Sequence, residues 1–388
     1  MVDIAHQAAI NPASKDAATA RARVPLTSIE SGQWRALAQR AIEPNGYYLP
    51  AWELAVSATA RGRNDASALA AFSGSSARLI GLMPVISLWR ALKIPLPALV
   101  SAHPYGTLCS PLIDRDAATE AAACLLQQAR KAGAHALLLN DVALDGAAMR
   151  SIKQALDRDG LKPRVLSSYI RASLDATQDG ETLLRDALGT KKLKELRRQR
   201  HRLAEHGPVA FDVARKPDEI RPALETFLQL EASGWKGRRG TALVQHAGDA
   251  TFIRRAVPAL AETAQCEIVT LRAGTTPVAA GIVLRHQDRA FFFKLGIDER
   301  FAKYSPGVQL TLDLTRHLCA DPAIASADST ASADHPMINP IWRGRFAIGD
   351  VLIPLRRNDP VVALIHAALA GFNVAHGGAR RVVHLLRK

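Results

Sequence analysis

The segment Tyr304-Ser305-Pro306-Gly307, with Lys303 before it and Val308 after it, is the part of this chain best suited to hold an anion. A serine able to cap, a proline fit for the first helical position and a glycine just inside predict a helix opening at Pro306. Such an end offers unpaired backbone N–H groups and the positive pole of the helix, which suits a pyrophosphate, and the glycine permits close approach. The same residues also serve a helix that merely starts well. Lys294 follows Phe291, Phe292 and Phe293. An ammonium in so apolar a run needs a partner or an anionic ligand, unless it reaches solvent at a strand end. Asp328, Asp334 and His335 come after the helix opened by Pro306, and a histidine with a near-neutral pKa can shuttle a proton. In the competing arrangement Asp334 caps a turn before Pro336 and His335 lies on the surface.

These residues need elements to position them. The second half predicts a strand at 209–213, a helix at 218–233 capped by Asp218, and a glycine-studded loop at 234–240. A helix at 249–264 follows, then three strands at 267–272, 277–286 and 289–296 whose short turns make an antiparallel meander. The helix at 306–319 carries two overlapping apolar stripes and is therefore pressed onto the sheet. Short strands at 324–328 and 350–355 close the set. The first half alternates helices at 49–61, 117–132 and 149–159 with strands at 67–73, 77–87, 136–140 and 164–174. The fold class is thus α/β with a mixed sheet. A chain of 388 residues exceeds one ordinary core, so two domains are expected, 26–178 and 179–358, between a loose arm at 1–25 and a basic tail at 359–388.

Composition narrows the classes. With 48% apolar and 22% charged residues the chain is ordinary globular protein. Its longest apolar run, 79–99, is broken by Pro84, Arg90, Lys93, Pro95 and Pro97, so no membrane span is expected. No export signal is evident, and Cys109, Cys124, Cys266 and Cys319 are scattered without metal-ligand spacing. A cytoplasmic protein with reduced thiols and no metal site is the expectation. The net charge of +14 favours partners bearing phosphate: a nucleotide cofactor, nucleic acid or an anionic membrane face.

The predicted strand order resembles the GNAT acyltransferase fold. More narrowly, the second half resembles the bacterial branch of cellulose-biosynthesis-type (CelD-like) acetyltransferases. The marks run from 191 to 355: a basic helix ending in Leu203 to Gly207, the Glu-x-x-x-Trp-Lys-Gly stretch from Glu231 to Gly237, the Phe-rich strand through Lys294, Tyr304 to Gly307, and Asp334-His335-Pro336-Met337-Ile338 leading to Trp342. The first half, with Pro104-Tyr105-Gly106 and Ser110-Pro111-Leu112, resembles the degenerate N-terminal half of tandem members, so two GNAT-like domains in tandem are implied. The family loop is richer in glycine than Tyr-Ser-Pro-Gly, and Lys303 is placed to compensate as a point charge.

The resemblance implies acetyl-CoA, or another acyl-CoA, as cofactor, held by Lys294, Gly296, Lys303, Ser305, Pro306, Gly307 and Val308. Acyl transfer needs a base, oxyanion donors and an acid for the leaving thiolate. Glu231 is the first candidate for base, against a solvated helix carboxylate. Backbone amides near 294–296 are candidate oxyanion donors. Tyr304 either donates to the thiolate or packs beneath the loop, and Asp334 with His335 completes the catalytic set. Trp235, Lys236 and Asp328 are candidates for the acceptor pocket. A small-molecule or saccharide acceptor, in envelope polysaccharide metabolism by family label, is then the leading partner. Two other readings stand: a Fem-type transferase fed by aminoacyl-tRNA, and a non-catalytic basic module. The basic stretch at 191–202 is a solvated face or a contact for tRNA or membrane. The aliphatic and basic C-terminal stretch is a disordered tail, or lies on an anionic membrane or a partner.

Overall fold

A computed structural model describes residues 22–63, 66–74 and 77–385, so residues 1–21 of the expected arm lie outside it. Its strands are β1 (Val24–Pro25), β2 (Ser67–Phe72), β3 (Leu79–Ser87), β4 (Ala98–Ser101), β5 (Leu112–Ile113), β6 (Ala136–Ala143), β7 (Arg164–Asp175), β8 (Val209–Ala214), β9 (Cys266–Ala273), β10 (Thr276–His286), β11 (Arg289–Ile297), β12 (Ser326–Asp328) and β13 (Gly344–Pro354). The helices are α1 (Ser31–Gln39), α2 (Pro50–Thr59), α3 (Leu88–Leu92), α4 (Ala118–Lys131), α5 (Ala147–Arg158), α6 (Gly180–Leu203), α7 (Pro217–Ser233), α8 (Trp235–Arg238), α9 (Ala247–Ala261), α10 (Pro306–Cys319) and α11 (Pro360–Leu385).

All the strands join one mixed sheet in the order β1-β2-β3-β4-β6-β13-β7-β12-β11-β10-β9-β8, with β5 paired to β3. The meander β9-β10-β11 is antiparallel as its two tight turns require, while β4 with β6 and β11 with β12 are parallel. The late strand β13 lies between β6 and β7, so strands from both halves of the chain interleave.

Helices cover both faces of the second half. On one face α7 and α9 bury Phe227 and Phe252 in a core shared with Trp34, Trp52 and Tyr47 of the first half and Phe291 of β11. On the other, Leu196 of α6 and Leu310 and Leu314 of α10 pack against Val269 and Val283. β10 is apolar on nearly every residue because both its faces are covered.

Three local expectations are corrected. α7 begins at Pro217, and the carboxylate of Glu219, not Asp218, reaches back to the Lys216 amide, 3.3 Å away. The supposed loop at 234–240 winds into the short helix α8. The C-terminal stretch is helical from Pro360, and Val362, Ile365 and Leu369 are buried beside Leu88 and Leu352, so its start docks on this chain's own sheet. No helix among the described residues is long and apolar enough to cross a membrane.

Candidate active site

β11 and β12 pair in parallel through Arg289 with Ser326, Ala290 with Ala327 and Phe291 with Asp328. Beyond that third pair β12 ends, while β11 runs on to Ile297. The opening so created is a cleft of about 390 Å³, walled by Lys294 and Leu295, by Thr330 beyond β12, by Trp235 and Lys236 of α8, and by His335 and Met337. On its other edge β11 carries a bulge. Ile282 faces Lys294 and Val283 faces Phe292, so Phe293 has no counterpart in the register. A bulge re-aims backbone groups out of the ladder, which suits it to donate to an oxyanion.

Charge in the cleft is organised by Glu231. Its side chain is buried at the end of α7. One carboxylate oxygen accepts from the Leu243 amide at 2.9 Å, and the other lies 3.5 Å from Lys236 Nζ and 3.4 Å from Lys294 Nζ. Lys236 also donates to the Leu295 carbonyl at 2.9 Å. Burial lowers the Lys236 ammonium below its usual range, and the nearby charge of Lys294 lowers it further. Burial, with a smaller contribution from Lys236, likewise holds His335 below the usual imidazole value. The Met337 amide donates to His335 Nδ1 at 3.3 Å, so the neutral ring carries its proton on Nε2.

The remaining candidates fall in three places. The start of α10 abuts the cleft: a Cβ on Gly307 would lie 3.0 Å from Leu295, and 3.3 Å from Ile297 and Met337. Ser305 does not cap this helix, because it sits in the left-handed region (φ 53°, ψ 52°) and its hydroxyl makes no cap bond. Pro306 is buried and Val308 partly so. Gly296 turns away from the cleft, towards α7: a Cβ there would lie 2.8 Å from the Glu231 amide nitrogen. Asp328 is buried beneath the cleft in an ion pair with the fully buried Arg171, and accepts from the Thr330 amide at 2.9 Å. Tyr304 is also buried, its hydroxyl 2.9 Å from His206 Nε2 and its ring beneath exposed Lys303. Asp334 is exposed in a left-handed turn (φ 53°). The structure therefore brings Trp235, Lys236, Lys294 and His335 to one cleft, seats Glu231 behind them and sets Gly307 at its end. Tyr304, Lys303 and Asp334 stand apart.

Thr330 went unnoticed in the sequence although it lines the cleft, its hydroxyl donating to the Phe292 carbonyl at 2.7 Å. The bulge at Phe293 has no signature of its own. Arg171, which ties Asp328 to the Thr107 carbonyl at 2.6 Å, looks like any strand arginine.

Comparison with known proteins agrees with the fold. No curated protein matches the chain. Among solved structures, FemX shares the fold at TM-score 0.56 and 13% identity, covering 87% of this chain and 98% of that one. The C-terminal domain (DUF2156) of a lysylphosphatidylglycerol synthetase candidate from Agrobacterium fabrum does so at 0.52 and 14%, covering 87% and 95%. A conserved protein of unknown function from Bacteroides thetaiotaomicron gives 0.51 and 12%, covering 84% and 98%. Residues 190–335 match the acetyltransferase (GNAT) domain family. With the meander, the parted strands and the helix that follows them, this stretch is a GNAT-type acyltransferase domain set within a longer mixed α/β chain.

Proposed function

We propose that this enzyme takes its acyl group from acyl-CoA and passes it to an amine or hydroxyl of a small molecule. The observation that carries the reading is the cleft where β11 outruns β12, bordered by the bulge at Phe293 and by the start of α10. A thioester chain lying there would have its carbonyl beside the bulge and its phosphates towards the start of α10. His335, neutral with its proton on Nε2, suits the role of donor to the leaving thiolate. Glu231 holds Lys236 and Lys294 in place, and the proton that the acceptor amine or hydroxyl gives up on attack would replace the one His335 passes to the thiolate. Membership of the cellulose-biosynthesis-type branch, with a polysaccharide-related acceptor, rests on the motif run from Glu231 to Trp342 and belongs to the same proposal, as does the division of the chain near 178/179.

A second reading, a Fem-type aminoacyl transferase, is favoured by one observation. Lys191, Lys192, Lys194, Arg197, Arg198 and Arg202 of α6 are all exposed, a face suited to RNA phosphates. Calorimetric titration with acetyl-CoA, longer acyl-CoAs and bulk tRNA separates the two. Saturable micromolar acyl-CoA binding is expected. Absence of acyl-CoA binding, with tRNA binding that weakens steeply in salt, would replace the first reading by the second.

A further inference from the structure

A second cavity, of about 220 Å³, opens against the cleft and shares Phe293, Lys294 and Thr330 with it. Its other wall comes from the first half of the chain: Tyr47, Arg63 and the loop His103-Pro104-Tyr105-Gly106-Thr107. We infer that this cavity seats the carboxylate of an anionic acceptor about the size of an amino acid, with Arg63 and Tyr47 as its principal donors. That this anion is the acceptor rests on the acyl-transfer proposal; the carboxylate site itself does not.

Tyr47 is fully buried, and its hydroxyl, with the Thr330 side chain close enough to bear on it, makes no well-formed hydrogen bond among the described residues. A buried hydroxyl left unpaired costs free energy that a ligand oxygen would recover. The ring cannot swing away to find another partner. Trp52 and Phe291 meet it edge-on at 5.8 and 5.7 Å, and Gly106 lies so close that a Cβ there would be 2.3 Å from the ring. Burial and the Asp328 charge raise this phenol well above its ordinary range, so it keeps its proton and stays a donor.

Arg63 supplies the charge. Its Nε is buried without a partner, and it forms no ion pair among the described residues. Glu53, near enough to feel its charge, is raised to about 8 by burial and so is neutral at neutral pH. His103 receives the Tyr105 amide on Nδ1 at 3.1 Å, and burial lowers it to about 4, leaving a neutral ring with its N–H on Nε2. Among the described residues no carboxylate lines the cavity. A pocket offering a guanidinium, a phenol and an imidazole N–H complements a group that only accepts, as a carboxylate does. The loop is built for this position. Tyr105 is held at φ 59°, a conformation costly for a tyrosine, by its hydroxyl bond to Asp249 at 2.9 Å.

The test is calorimetric titration of the full chain with succinate, succinamide and inorganic phosphate, alongside acetyl-CoA. Succinate is expected to bind with a millimolar Kd, about tenfold or more tighter than succinamide. Arg63→Gln and Tyr47→Phe should each weaken succinate by about tenfold while acetyl-CoA affinity is unchanged. Tyr47→Phe removes a single oxygen and keeps the ring packing, so it stands if Arg63→Gln melts early. Undiminished succinate binding in either folded variant, no succinate binding at all, or a preference for phosphate would overturn the assignment. Succinate binding without acetyl-CoA binding would leave the carboxylate site standing and count against the acyl-CoA reading.

Discussion

Glu231 lies between two ammonium groups and a backbone amide, and its capacity follows from that position. A carboxylate so engaged is a firm anchor for Lys236 and Lys294. Glu231→Gln should therefore cost about 2 kcal/mol of stability, seen as a lower denaturation midpoint, with acyl-CoA affinity nearly kept. A variant of native stability that loses its turnover would restore the base role instead. Residue type and neighbours were enough to pick out Trp235, Lys236, Lys294 and His335, because each is chemically conspicuous near a helix or strand end. Tyr304 and Asp334 looked equally apt, but the direction of a turn side chain is set by partners distant in sequence, here His206 for Tyr304.

At the scale of elements, two glycines read alike as cofactor contacts do different work. Gly296 lets α7 approach β11 backbone to backbone, whereas Gly307 lets α10 settle on the side chains of Leu295, Ile297 and Met337. Side-chain tips can yield and a backbone cannot. Gly296→Ala should cost about 1–3 kcal/mol in thermal melts, and Gly307→Ala clearly less. Equal losses would contradict this division. The meander, α10 and most first-half elements were legible from periodicity and turn residues. The bulge and the winding of α8 were not, since both arise from register and packing against α7. The cavity wall at Tyr47 and Arg63 left one trace only, Pro104-Tyr105-Gly106, because its parts meet through tertiary structure.

Across the whole molecule, buried titratable groups set opposing slopes with pH. His286 accepts from the Asn45 amide and lies 2.9 Å from the Ala38 carbonyl, joining the two halves. Burial lowers both His286 and His103 to about 4 from 6.5. The folded state then binds fewer protons than the unfolded chain in that window, and stability falls as pH drops through it, by roughly 3 kcal/mol per histidine. Glu53 has the reverse sign: raised from 4.5 to about 8, it keeps a proton the unfolded chain releases, so stability falls as pH rises across that range. Chemical denaturation should show a maximum near about pH 6.5, and Glu53→Gln should flatten the alkaline arm. A wild-type curve level from about pH 6.5 to 8 would rule out the buried-carboxyl account.

The position of β13 also bears on how the protein is made. It is the last strand among the described residues, yet it lies in the middle of the sheet, paired on one side with β6 and on the other with β7. During synthesis β6 and β7 leave the ribosome long before the strand that joins them, so two unpaired strand edges stay open until residues 344–354 arrive. A polypeptide stopped short of that strand would hold two adhesive half-sheets rather than a smaller enzyme. Faults in residues 344–354 therefore expose the middle of the sheet.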